Sequence, residues 1–429
     1  MKNYFLIFIL FTNLVFVDCR AVENGTLQQT IDCARQYRIN TTLPSSQENE
    51  RQKSVLETAY ANLISYESSD LENGVRQFLQ DTLPLEVSDL NIINVLSTEF
   101  FGKSDAAVFL IKDHSGQLRY VVKAFQEPRL LDSRFLQEIS AIDLIQQLKL
   151  PGITPIEQYA FALCYEGNNT WELLLESAAC GKRLDQYVYE VAHQEVGSDK
   201  RMKCLEIAKK AFRSLGTSLA HLHSSRASSL TPIPSSLVAK YHVKLATVLS
   251  NEFISNALSK CVAIPDFVDY VEGVKDETLS VALHYTYIHG DAHLGNLFYD
   301  ETKESCCFID VAGMHRSVDI QGQPILHGTI DLVRVEDSLD FKARNLLTRE
   351  EVKGLKTSFY EGYEEAGGLI PDERLFCFYN MYEKLRRLIS KSRFAEEQDP
   401  RIQASDKIIF EDAIHYFEEQ VNYQLILTK

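Results

Sequence analysis

The sequence predicts an α+β protein in two lobes, a small β-rich one followed by a larger helical one. Three observations predict it. The chain has 429 residues, which is too long for one small core. Between Ile92 and Leu175 short apolar runs alternate with turn residues and are interrupted by one helical segment, whereas helical periodicity dominates after Leu184. The stretch from Tyr287 to Phe298 has apolar residues on both sides of a dense polar centre, the pattern of a buried strand that empties into an active-site loop.

Composition sets outer limits. Hydrophobic residues make up 45% and charged residues 24%, with no repeat and no low-complexity tract. The net charge of -16 argues against a nucleic-acid partner, because no basic stripe is available to meet a phosphate backbone. It is compatible with a cationic small molecule, and equally with a surface that serves solubility.

At the N-terminus, Lys2 precedes an apolar run from Tyr4 to Val17, and the small residues Cys19 and Ala21 follow. This is the layout of a secretory signal over residues 1–21, too short for a stable membrane span, and it predicts a secreted or exported protein. If the signal is misread, the protein is cytoplasmic. Asn24-Gly25-Thr26, Asn40-Thr41-Thr42 and Asn168-Asn169-Thr170 are glycosylation acceptors in an exported chain. The cysteines show no metal-binding spacing and read as scattered buried thiols, although export would permit one or two disulfides.

Residues 22–89 form a polar, helical extension with one apolar stripe at Val55, Ala59, Leu63 and Ile64, and another at Leu71, Val75, Phe78 and Leu79. No chemistry is visible in it. The small lobe, 90–178, begins with strands at Ile92 to Leu96, Ala106 to Ile111 and Tyr120 to Phe125, the last two joined by a turn at Asp113 to Gly116. Lys123 sits among apolar neighbours in the third strand, where an ammonium is costly unless an anion meets it. The next element supplies one. A helix from Arg134 to Leu148 puts Phe135, Ile139, Ile142 and Ile145 on one face, with Glu138 at its edge. Strands at Tyr159 to Leu163 and Trp171 to Leu175 follow, and Glu176 to Ala178 begins a connector whose backbone could meet an adenine ring.

In the helical lobe, 179–429, a helix begins between Leu184 and Val191, and Met202 to Ser224 is the clearest amphipathic helix. His221 and His223 lie two apart at its end and point away from each other. Pro232 and Pro234 break the chain before helices at Val238 to Leu258 and Phe267 to Val274. A helix starts near Thr329 with Asp331 in its first turn, and three more occupy Val352 to Ala366, Leu375 to Lys391 and Ser405 to Leu425.

The chemistry gathers around Asp291. Asn296 stands five residues on, and the strand at Cys306 to Ile309 runs into Asp310. The interval from Asn296 to Asp310 is a hairpin, which returns the two side chains to one place. An acid to orient a hydroxyl, with an amide and a carboxylate for magnesium, equips a chain for phosphoryl transfer.

The run from His289 to Asn296 is similar to the catalytic loop of the aminoglycoside phosphotransferase and choline kinase-like family. Phe308-Ile309-Asp310 resembles the family's metal-binding strand end, and Ile330-Asp331-Leu332 the Asp-Leu that follows. Leu215-Gly216 with Leu219 to His223 resembles the preceding helix. The likeness covers roughly Leu90 to Tyr363. It implies a bilobal protein-kinase-like fold, ATP as donor, Mg2+, and a hydroxyl on a small molecule such as an aminoglycoside, amino-alcohol or sugar. It further implies Asp291 as catalytic base, Asn296 and Asp310 as magnesium ligands, Lys123 on the nucleotide phosphates with Glu138 as its partner, and His289 as a brace. The phosphate loop holds Gly102 alone where relatives often pair glycines, and Val311 stands where an aromatic residue is common.

Two other readings stay open. The glycine-poor loop and the signal fit a catalytically inactive pseudokinase exported as a binding protein. His289, Asp291 and His293 could alternatively share one strand face and hold a hydrolytic metal, although Asn296, Asp310 and Lys123 would then have no role. The acceptor and the oligomeric state leave no trace in the sequence.

Overall fold

The computed structural model describes residues 27–36, 46–61, 63–83, 91–94, 106–126, 133–225, 227–279, 281–315, 317–319, 322–396 and 404–427. The expected signal segment, the first two glycosylation triplets and the loop with Gly102 lie outside the described residues. The chain divides into two compact units. One comprises residues 1–182, 289–291 and 296–323, and the other 183–288, 292–295 and 324–429. Asp291 and the hairpin, expected in the helical lobe, therefore group with the sheet-bearing unit.

The first unit is built on a six-stranded sheet. Its strands are β1 (Ile64–Ser68), β2 (Asn91–Asn94), β3 (Ala106–Lys112), β4 (Leu118–Gln126), β5 (Gln158–Glu166) and β6 (Asn169–Ser177), in the order β1-β5-β6-β4-β3-β2. All neighbours pair antiparallel except β1 with β5. The helices are α1 (residues 27–36), α2 (Ser46–Tyr60), α3 (Leu71–Thr82) and α4 (Arg134–Leu148). Strand periodicity sorts the side chains onto two faces. Phe109, Val122, Ala162, Leu173 and Leu175 pack with Val75, Phe78 and Leu79 of α3. The opposite face carries Phe125, Phe161 and Leu174, which pack with Phe135, Leu136 and Ile139 of α4 and with Ala34, Val55 and Ala59 of α1 and α2.

Two features depart from the sequence expectation. The stripe read as helical through Ile64 stops at Tyr60, and Ile64–Ser68 becomes an edge strand with Tyr66 buried. Helix α4 keeps its expected bounds, yet every residue from Phe135 to Ile145 is buried, not one face. The extension covers the side that a surface helix would give to water.

The second unit is helical, and a core cluster in it includes Tyr241, Val248, Phe267, Phe378, Leu385 and Phe417. The expected helix from Val238 to Leu258 is two, Ser235–Ser250 and Glu252–Ser259. Asn251 ends the first and caps the second, accepting from the N–H of Ile254 at 3.0 Å. Helices Asp199–Ser224 and Arg349–Glu365 approach closely because Gly216 and Gly362 each face backbone of the other helix. Buried Arg201 clamps them through two bonds to Glu351, at 2.6 and 2.8 Å. A two-stranded ladder, Ala227–Pro232 with Ala282–Thr286, has no counterpart in the sequence reading. Among the described residues no helix is long and apolar enough to cross a membrane.

Candidate active site

Lys123 lies on the α4 face of β4 because it alternates with Val122 and Ala124, which point the other way. It donates to Glu138 Oε1 at 2.7 Å, the expected ion pair, and Glu176 Oε2 lies 3.3 Å away on its other side. The β4–β6 register explains the second carboxylate. Lys123 stands opposite Leu174, so Glu176 is its diagonal neighbour on the same face. Burial works against the Lys123 ammonium, but Glu138, Glu176 and Asp310 more than offset it and hold its pKa above the ordinary range. Burial pushes Glu176 up to about 7; Lys123 opposes the rise and Glu138 adds to it.

The sequence assigned Glu176 and Ala178 to a connector that lends backbone groups to a base. In the structure the Glu176 side chain and the Ala178 N–H have partners of their own. Glu176 lies in the ladder opposite Val121 and contributes its side chain to Lys123. The N–H of Ala178 donates to the carbonyl of Arg119 at 3.0 Å, and that of Ser177 to Glu157 at 2.8 Å. Both N–H groups are thus engaged within the sheet.

The loop around Asp291 is fixed by backbone contacts. His289 is buried, packs edge-on to Phe308, and its Nδ1 accepts from the N–H of Asp291 at 3.3 Å. Gly290 has φ +80°, and a Cβ there would lie 2.7 Å from the backbone of Gly313. The loop and the segment after Asp310 can touch only because both positions are glycine. The imidazole of His289 thus holds the backbone at Asp291.

The hairpin Leu297–Asp300 and Ser305–Phe308 behaves as expected. Leu297 pairs with Phe308, and the N–H of Ile309 donates to the carbonyl of Asn296 at 3.0 Å, so Asn296 and Asp310 leave the same end of the ladder. Asn296 Nδ2 donates to the carbonyl of Asp291 at 3.1 Å, which ties the loop at Asp291 to the hairpin. Asp310 has φ +54°, a left-handed conformation that Asp tolerates better than most residues.

Helix α4 joins the two halves of the site. Glu138 uses one oxygen for Lys123, and its Oε2 accepts from the N–H of Ala312 at 3.1 Å. One turn earlier, Arg134 Nη2 lies 3.8 Å from Asp310 Oδ1. Sequence reasoning missed Arg134 and Gly313. The i, i+4 spacing from Arg134 to Glu138 was a usable signal; a single glycine after Asp310 was not.

Magnesium fits the donor set. It favours hard oxygen ligands, one or two from the protein and the rest from phosphates and water. Asn296 spends its amide nitrogen on Asp291, which turns its oxygen to the other side, and Asp310 offers a carboxylate. No cluster of three His, Cys, Asp or Glu suited to a metal exists among the described residues. The hydrolytic-metal reading therefore gains no support.

In the second unit, Asp331 is fully buried and accepts from His223 Nε2 at 3.2 Å, while His223 Nδ1 accepts from the hydroxyl of Tyr363 at 2.8 Å. This chain braces three helices of that unit. All eight described cysteines are free thiols.

The six-stranded sheet with its Lys123–Glu138 pair to helix α4, and the hairpin that runs into Asp310, give the first unit a mixed α+β architecture. The chain is similar to a glucosamine kinase in complex with glucosamine, ADP and inorganic phosphate, with 15% identity, 83% of this chain and 84% of that one covered, and a TM-score of 0.49. It is also similar to aminoglycoside phosphotransferase APH(3'')-Id from Streptomyces rimosus in complex with ADP and streptomycin (15% identity, 74% of this chain and 98% of that one, TM-score 0.44). A choline kinase from Cryptosporidium parvum matches at 12% identity over 83% of this chain and 94% of that one, with a TM-score of 0.39. No family model and no curated protein matches the chain.

Proposed function

We propose that the chain is an ATP- and Mg-dependent phosphotransferase that moves the γ-phosphate to a hydroxyl of a small molecule. One observation carries this reading: Glu138 binds Lys123 with one oxygen and the backbone beside Asp310 with the other. A phosphate-binding lysine and a metal carboxylate are thereby held in one frame, which is the positioning that phosphoryl transfer depends on. Asp291 orients and accepts the proton of the attacking hydroxyl. Asn296 and Asp310 hold the metal, which when bound shields charge on the phosphates. The net charge of -16 is compatible with an acceptor that carries an amine, such as an amino sugar or amino-alcohol.

The test is phosphate transfer from ATP across aminoglycosides, amino-alcohols and neutral sugars. Asp291→Ala is expected to lower turnover about 10²–10⁴-fold while ADP binding persists. Undiminished transfer by that variant would exclude Asp291 as the base. The pseudokinase reading is favoured by Gly102 standing alone in its loop. It predicts nucleotide binding without transfer to any acceptor, or no nucleotide binding at all.

Export is part of the proposal. Residues 1–21 are read as a removable signal, so the mature protein would begin near Val22 and would draw ATP from a lumen or a host compartment. Mass spectrometry of the N-terminus after expression in a secreting cell tests this. A chain that keeps Met1 and stays inside is the opposing result.

A further inference from the structure

The charge balance around Lys123 raises a question that Lys123 alone does not answer. Its ammonium faces two carboxylates, Glu138 at 2.7 Å and Glu176 at 3.3 Å, and Asp310 adds its field. Its charge is already matched before any phosphate arrives. A nucleotide brings several more negative charges into the same place, and a single metal ion offsets only part of them.

Arg134 stands where a second cation is needed. It occupies the first turn of α4, one turn before Glu138 and therefore on the same face. The bond from Ala312 N–H to Glu138 fixes the height of that face against the backbone after Asp310, and so brings the guanidinium of Arg134 level with the Asp310 carboxylate. The separation of 3.8 Å is longer than a charge-assisted hydrogen bond of about 2.7–2.9 Å. Asp310 can engage one edge of a planar group that has five donors. Both side chains are partly open to solvent, at 30% and 38%. An ion pair of that exposure adds little to stability.

We propose that Arg134 is a second cation for the nucleotide phosphates, reaching them from beside Asp310 and complementing Lys123. The proposal rests on the phosphotransferase reading above. It assigns to Arg134 direct contact with phosphate oxygens, and not only the orientation of Asp310.

Calorimetric titration with ADP and with adenosine, in EDTA and again in magnesium, separates these roles. Arg134→Gln is expected to weaken ADP about tenfold in EDTA as well as in magnesium, the loss of a charged hydrogen bond. Adenosine, which has no phosphate, should bind as before and so reports that the variant is folded. Arg134→Lys should recover part of the ADP affinity, because it restores the charge but not the fork, and it serves as the second variant if Arg134→Gln is unstable. An ADP affinity in EDTA that Arg134→Gln leaves unchanged overturns the proposal, including the case in which a loss appears only with magnesium. A wild-type protein that binds neither ADP nor ATP overturns the phosphotransferase reading and this one together.

Discussion

Glu176 makes the site sensitive to pH through its own burial. The carboxyl titrates at about 7 in the folded chain against 4.5 for an ordinary glutamate. Below about pH 4.5 it is protonated in the folded and unfolded chains alike, and it costs nothing. As pH rises towards 7 the unfolded chain gives up its proton first, so this group lowers folded stability progressively, and the loss levels off above 7. A shift of that size corresponds to a few kcal/mol at most, on the order of 3, with Lys123 beside it drawing the value down. Glu176→Gln mimics the protonated group. Its melting temperature should match that of the wild type at pH 4 and exceed it at pH 8, and a difference that stays constant between those pH values would remove Glu176 as the source. The sequence could not show this role. Lys123 stood out as an ammonium among apolar strand residues, Glu138 as the nearest carboxylate on the next helix, and Asp291, Asn296 and Asp310 by the hairpin between them, and the family resemblance grouped the five. The side chain of Glu176 joins them through the register of β6 on β4, which no local pattern fixes.

At the scale of the element, α4 is held from three sides. Its cap Ser133 accepts from the N–H of Leu136, and its interior faces the sheet. Asp143 accepts two bonds from Arg35 of α1, at 2.8 and 2.9 Å. Tyr60, the last residue of α2, donates to Glu172 of β6, and the hydroxyl of Ser133 lies 3.5 Å from the other oxygen of that carboxyl. Burial alone holds the Glu172 carboxyl well above its usual range. The extension, which carries no chemistry in the sequence, thus positions the helix that presents Arg134 and Glu138. Tyr60→Phe removes a half-buried donor to the buried Glu172 and should cost about 1–3 kcal/mol in chemical denaturation. It should also raise the KM for ATP more than it lowers turnover, since Lys123 and Asp291 remain. An unchanged denaturation midpoint would mean that the Tyr60 bond is dispensable. Boundaries were legible where caps are strong: α4 starts where Ser133 precedes an apolar period, and the expected and observed bounds coincide. They were not legible at β1, a five-residue edge strand whose apolar residues continue a helical stripe until the parallel partner β5 claims them.

For the whole molecule, the consequence is a pattern in which distant segments respond as one. Lys123 and Glu138, Asp291, and the Asn296–Asp310 hairpin come from separate parts of the sequence, yet all belong to the first unit. A ligand that binds the folded state adds RT ln(1 + [L]/Kd), about 2.7 kcal/mol at a hundredfold excess over Kd, and that stabilisation is felt by the amides whose opening breaks the site. ADP with magnesium should therefore slow hydrogen exchange together in β4, α4 and residues 296–315. The helices Glu373–Glu396 and Ala404–Leu427, which belong to the other unit's core and contribute no proposed nucleotide contact, should change less. Because Glu138 bridges Lys123 and Ala312, Glu138→Gln should uncouple the response: protection in β4 and in the hairpin would no longer rise in proportion. If protection in that variant still rises together, the frame is carried by other contacts, with the approach of Gly290 to Gly313 the next to be tested.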